Sequence, residues 1–194
     1  MIPPMSDAYV ERRVLVKAYG SLPRSSPLLV SVPGVGGPMK LHKLAAAGLA
    51  DLAAAVLRDL KIELKIASGW RPHRWKSRAD YEATVKAKYG SLEVGRRFLA
   101  YASPHETGLA IDLGVGGLRP DRRTIDEQRK TKLHRWMVAE AYRYGWHPYK
   151  VEPWHWEYPI SPQAWRSGLA EDDFILLDDD DDDGGDAAED EFEE

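Results

Sequence analysis

Two short stretches of this chain hold the residue types from which a metal-dependent hydrolase can be built. The first is Ser103-Pro104-His105-Glu106-Thr107-Gly108-Leu109-Ala110-Ile111-Asp112, and the second is Glu152-Pro153-Trp154-His155. Imidazole nitrogen and carboxylate oxygen are ordinary zinc ligands. His105, Asp112 and His155 could therefore supply three donors to one ion and leave its fourth position open for water. A glutamate three residues before the last histidine can act as general base on that water. This is the minimum set for hydrolysing an amide bond with Zn2+ as cofactor.

Local elements must hold these groups in place. Leu109, Ile111 and Leu113 alternate with Gly108, Ala110 and Asp112, the period of a strand with one apolar face. The other face is small, small and charged, which leaves space for the Asp112 carboxylate. His105 falls in the turn leading into this strand, and Gly108 lets the chain bend. Ser103 is expected to orient a ligand by hydrogen bonding. Pro153 fixes the backbone, which puts Glu152 in a turn before the next strand, 154–158. On that strand Trp154, Trp156 and Tyr158 face away from His155 and Glu157 and anchor it in the core. Glu157 reads as a solvated or salt-bridged strand residue. His42, His134 and His147 have no ligand-like spacing and read as surface or helix residues. His73 reads as an exposed loop histidine.

The pattern Ser-x-His-x-x-Gly-x-Ala-x-Asp, followed some forty residues later by Glu-x-Trp-His, resembles the LAS-type zinc peptidases. These comprise D-alanyl-D-alanine carboxypeptidases of the VanY kind, dipeptidase relatives and bacteriophage L-alanyl-D-glutamate endolysins. The resemblance covers roughly residues 64 to 160. It implies zinc ligands at His105, Asp112 and His155 and a catalytic base at Glu152. It also implies a role for Arg71, carried by Ser68-Gly69-Trp70-Arg71, in stabilising the substrate and the developing oxyanion. Ser68, Ser103 and Trp154 are expected to support the ligands or touch substrate. One departure is visible: many relatives carry a glutamine a few residues after the arginine, and Pro72-His73-Arg74-Trp75-Lys76-Ser77 holds none. The implied substrate is a peptidoglycan stem peptide, trimmed at its terminal D-alanine or cut between L-alanine and D-glutamate. The competing reading is a zinc-stabilised module that binds cell wall or a protein without hydrolysing it. Such a module has no need of Glu152.

The chain has 194 residues, enough for one full core. It has no cysteine, so thiolate ligation and disulfides are excluded. No apolar run is long enough to span a membrane, and no membrane insertion is expected. The first residues, Met1-Ile2-Pro3-Pro4-Met5, show no basic start followed by an apolar stretch, so no standard signal peptide is visible. The expectation is a protein made in the cytoplasm that acts on the bacterial wall after release or delivery, through a partner or a phage-like particle. The net charge of -4 conceals a split: 15 of the 31 acidic side chains lie in residues 171–194, which hold no Lys or Arg. The first 170 residues carry the other 16 against all 27 basic ones, a formal +11. A basic body suits an anionic target such as cell wall. Nucleic acid is not expected as a partner, because no helix-turn-helix, zinc-finger or RNA-binding signature is present.

These patterns predict an α+β domain of the LAS or hedgehog-like peptidase type, with helices packed on a small antiparallel sheet that carries the zinc cleft. Residues 1–40 read as an N-terminal extension, with short strands or extended cover at Val14-Leu15-Val16 and Leu28 to Val32. Residues 41–170 read as the peptidase domain. It has a helix over 41–60, a strand over 63–68 that delivers Arg71, and a polar helix over 80–89. One long helix runs from the capping-box-like Thr124-Ile125-Asp126-Glu127 to Tyr144. Residues 171–194 read as an acidic disordered tail, able to compete with an anionic wall for the basic body.

Overall fold

The computed structural model describes residues 8–171. Apart from Glu171, the acidic tail lies outside the described residues. The elements in chain order are α1 (Val16–Tyr19), β1 (Leu29–Val32), β2 (Met39–His42), α2 (Lys43–Leu60), β3 (Ile66–Ser68), α3 (Arg78–Tyr89), α4 (Leu92–Gly95), β4 (Ala110–Leu113), α5 (Ile125–Arg129), α6 (Lys132–Glu140), β5 (His147–Pro148), β6 (His155–Glu157) and α7 (Pro162–Ser167). This is an α+β architecture with two small antiparallel sheets, β1-β2 and β3-β4-β6-β5. No described helix is long and apolar enough to cross a membrane.

The four-stranded sheet brings the two chemical motifs together. In the β4–β6 ladder Asp112 lies opposite His155, and Ala110 lies opposite Glu157. Ser68 on β3 lies opposite Asp112 from the other side. All four residues of β4 are buried, so the strand is covered on both faces. β5 is the edge, where Pro148 removes a donor no neighbour needs.

Helix α2 turns its small and branched residues, Ala45, Gly48, Leu49, Leu52, Ala55 and Val56, inward. They meet Leu41, Ile66, Leu109, Ile111 and Trp146 in the main core, where each fully buried large apolar side chain contributes roughly 1.5–3 kcal/mol. Gly48 is needed there, since a Cβ would lie 2.4 Å from the Tyr158 ring. The helix begins two residues later than the sequence suggests, because Leu41 and His42 are taken by the β1–β2 ladder. His42 then caps the helix. Its Nδ1 accepts from the Leu44 N–H at 3.2 Å, and its Nε2–H donates to the Trp165 carbonyl at 2.9 Å. A surface reading of His42 is thus corrected: it is fully buried.

The single helix expected over 124–144 is broken. Thr131 donates its hydroxyl to the Gln128 carbonyl at 2.7 Å and accepts from the His134 N–H at 3.1 Å. It thereby ends one helix and caps the next, the competition with backbone that short hydroxyl side chains offer. Thr124 does not cap; Asp121 caps the short 3-10 turn Arg122–Thr124 instead. Gly145 closes the run at φ 78°, and α3 is bounded by a Ser77 cap and Gly90 at φ 80°. Of the two readings of 14–16 no strand forms, and Leu15 is extended cover at φ -86°, ψ 100°. The Val14 N–H is taken by a carboxylate, that of Glu157, and the chain turns into the single helical turn of α1. Val14, Leu22, Leu29 and Val32 share the main core with α2 and the larger sheet.

Candidate metal centre

His105 sits in a capped 3-10 turn, Pro104–Thr107. Ser103 Oγ accepts from the His105 N–H at 3.4 Å, and the Glu106 carboxylate accepts from the Ser103 N–H at 3.0 Å. Gly108 follows at φ 74°, where a Cβ would lie 2.7 Å from the His42 nitrogen. Ser103 therefore orients the backbone of the turn. The imidazole itself is oriented by a group the sequence did not reveal: His105 Nδ1–H donates to the Gly69 carbonyl at 2.7 Å. Gly69 can present that carbonyl because it lacks a Cβ, which would stand 2.6 Å from the Lys40 carbonyl oxygen.

With its proton on Nδ1, His105 turns a lone pair on Nε2 toward Asp112 Oδ1, 3.3 Å away. Nε2 is buried and has no hydrogen-bond partner among the described residues. A lone pair facing a carboxylate is unfavourable unless a cation lies between them. His155 completes the arrangement. Its Nδ1 is 3.0 Å from the same Asp112 oxygen, and its Nε2 is 3.0 Å from Glu157 Oε1. One donor atom from each of His105, Asp112 and His155 lies within 4.8 Å of the others, and the group could hold a metal ion.

The electrostatics agree. Burial lowers the His105 pKa and keeps that ring neutral. Burial also opposes charge on His155, but hydrogen bonds to Asp112 and Glu157 outweigh it and raise the pKa to about 9. Burial pushes Asp112 upward, yet the two imidazoles hold its carboxyl far below the ordinary range. A proton on His155 thus stands where a cation would otherwise offset the carboxylate.

Glu157 is fully buried, which corrects the solvated half of its reading and keeps the salt-bridged half. Burial raises its pKa, but His155 and Arg13 overcome this and hold it ionised. Glu152 lies in the tight turn between β5 and β6, where its N–H donates to the Tyr149 carbonyl at 3.0 Å and its carbonyl accepts from the His155 N–H at 2.9 Å. Burial, aided by the Asp112 charge and opposed by His155, Arg71 and Arg13, raises its pKa to about 7. Arg71 is half-exposed, with Nη2 3.8 Å from Asp112 Oδ2, and its N–H donates to the His105 carbonyl at 3.2 Å. Ser68 and Trp154 line the same cleft. Trp154 is buried in the core, and its carbonyl accepts from the Leu113 N–H at 2.9 Å.

Of the remaining histidines, His73 lies in an exposed loop as expected, His134 is a helix residue on α6 but is buried, and a surface reading of His147 is corrected. His73 bonds the buried Glu106 carboxylate at 3.0 Å, which also accepts from the Ser21 hydroxyl at 2.6 Å. His134 is buried against Tyr9 and Trp156. His147 is buried too, and its Nδ1–H donates to the Val10 carbonyl at 3.1 Å. Missed as well was the density of cations on the cleft. About 1050 Å³ of space beside the triad is lined by Arg13, Arg71, Arg74, Arg96, Arg97 and Arg119.

Comparison with known proteins follows the same lines. The family model for VanY, D-alanyl-D-alanine carboxypeptidase, matches residues 38–161. No curated protein matches the chain. Among solved structures, the LdcB LD-carboxypeptidase is similar in fold, with a TM-score of 0.55 at 21% identity over 80% of this chain and 81% of that one. A mutant of the vancomycin-resistance D,D-pentapeptidase VanY in complex with Zn(II) gives 0.48 at 19% identity, over 80% and 93%. VanYB in complex with D-alanine-D-alanine gives 0.46 at 20% identity, over 80% and 92%.

Proposed function

Since the chain belongs to the VanY family of D-alanyl-D-alanine carboxypeptidases, we propose that it is a zinc-dependent peptidase that removes the C-terminal residue from peptidoglycan stem peptides. The observation that carries this reading is the unpartnered Nε2 of His105 facing Asp112 and His155, with Glu152 in the same cleft. Two imidazole nitrogens and one carboxylate, with no fourth ligand grouped with them among the described residues, form the donor set of a catalytic zinc site. Zinc held there supplies a Lewis acid and lowers the pKa of a water.

This chain's own residues do the rest. The Gly69 carbonyl holds the Nδ1 proton of His105 and the Glu157 carboxylate the Nε2 proton of His155, so both rings would have an inward nitrogen for a metal once His155 gave up its second proton. With a pKa near neutrality, Glu152 can accept a proton from the attacking water and return it to the leaving nitrogen. Arg71, exposed at the edge of the triad, is placed to grip a terminal carboxylate or the oxyanion that develops on the carbonyl. The arginines farther out suit the anionic stem peptide.

Digestion of purified peptidoglycan by the zinc-loaded protein, followed by mass spectrometry, tests the proposal. The expected product is a stem peptide shorter by one alanine. Release of fragments cut between L-alanine and D-glutamate would make the chain an endopeptidase instead. Intact stem peptides after prolonged digestion would overturn the hydrolytic reading. Metal analysis of His155→Ala checks the ligands, since this variant should lose the one zinc per chain expected in the parent.

A further inference from the structure

The buried carboxylate of Glu157 has partners from two parts of the chain. Only one of them, His155 Nε2–H at 3.0 Å, lies within the region matched by the family model. The others come from the N-terminal segment. Arg13 donates from Nε at 2.9 Å and approaches with Nη2 at 2.8 Å, both at the oxygen that also accepts from His155. The Val14 N–H donates to the second oxygen at 2.6 Å. Glu157 is thus fully buried, bonded to a cation that offsets its charge, and turned toward the ring of a candidate ligand.

The rest of the segment is fastened to the same hairpin. The Val10 carbonyl accepts from His147 on β5. Glu11 Oε1 accepts from the Lys150 N–H at 2.6 Å. Tyr9 packs its ring against His134 and Trp156. The Arg13 guanidinium lies 3.9 Å from the centroid of the Tyr149 ring, a second contact that holds it in place. Residues 147–157 are the hairpin that also carries Glu152. The segment is therefore fastened along the element that presents both the candidate general base and the third candidate ligand.

We propose that residues 9–14 are a built-in brace of the metal centre, and that Arg13, acting through Glu157, is a positioning residue that holds the His155 ring with Nδ1 toward the ion. The inference rests on the zinc reading above. Its physical basis is that a ligand histidine binds well only when its other nitrogen has a fixed acceptor. A buried carboxylate remains a fixed acceptor only while its charge is paired. Without Arg13, the Glu157 carboxylate loses two of its contacts and is free to swing away, and the His155 ring loses its anchor.

The test is a double-mutant cycle read by zinc affinity, measured by chelator competition on the full chain, alongside kcat and KM. Arg13→Ala should weaken zinc binding about 10- to 100-fold, the usual effect of removing support from a ligand histidine, and Arg13→Lys should recover part of it. Glu157→Gln should weaken binding as well. In the Glu157→Gln background Arg13→Ala should add less than about threefold, because its effect passes through that carboxylate. Circular dichroism identifies any variant that fails to fold, and Arg13→Lys then replaces Arg13→Ala in the cycle. Unchanged zinc affinity in folded Arg13→Ala, or effects of the two substitutions that simply multiply, would overturn the brace. Wild-type protein that takes up no zinc would instead refute the metal reading, and the brace with it.

Discussion

Replacing Glu152 by Gln should stabilise the metal-free protein above neutral pH and at the same time remove turnover. The Glu152 pKa is raised from an ordinary 4.5 to about 7, chiefly by burial. The folded protein therefore binds this proton more tightly than the unfolded chain. The resulting stability is fully present below about pH 4.5 and is lost as pH rises through about 7, where the carboxylate must ionise inside the cleft. At 1.36 kcal/mol per tenfold change in affinity, the rise from 4.5 to about 7 corresponds to roughly 3–4 kcal/mol. The side chain keeps part of its surface in water, which reduces this to about 2 kcal/mol. Gln bears no charge at any pH and escapes the cost. Urea unfolding in excess chelator should therefore show the variant and parent equal near pH 4 and separated by about 2 kcal/mol near pH 8. Zinc loading should shrink the gap, because a nearby cation favours the carboxylate. Turnover by the zinc-loaded variant should fall at least about 100-fold with zinc content intact. A stability difference that does not change with pH would refute the reasoning, and undiminished hydrolysis would remove Glu152 from the chemistry.

Three further outcomes follow from single residues and from the charge of the tail. Arg71→Ala should keep its zinc and lose about 100-fold in turnover, with Arg71→Lys restoring part; full activity in the alanine variant would return Arg71 to a surface cation. Gly69→Ala should lower stability by about 1–3 kcal/mol, because the added methyl meets the Lys40 carbonyl at 2.6 Å. It should also weaken zinc binding, because the carbonyl that orients His105 shifts; unchanged melting and metal affinity would count against that role. Deleting residues 171–194, which carry 15 acidic side chains, should tighten binding to purified cell wall at low salt, with the difference fading as salt rises. Equal binding at low salt would dismiss competition between tail and wall.

The residues that could bind metal were legible in the sequence because their placement is local. Gly108, the alternation through Asp112, and Pro153 before His155 are short-range signals for a turn, a strand and a turn. The cap at Ser77 and the closures at Gly90 and Gly145 are equally local. Two strands that each deliver such residues need only pair for the group to form, and Asp112 does lie opposite His155. What holds the ligands was not legible. The carbonyl that orients His105 belongs to Gly69, and the cation that supports Glu157 belongs to Arg13, 144 residues away. No periodicity links such partners, because their contact depends on how separate elements stack. Burial was hidden for the same reason. A sequence displays the charge of Glu157 and the imidazoles of His42, His134 and His147, but whether they meet water depends on the chain folded over them. The break at Thr131 shows the limit within one element. Its hydroxyl could face solvent on a continuous helix or cap a new one, and packing of the helix that follows against the core decided between them.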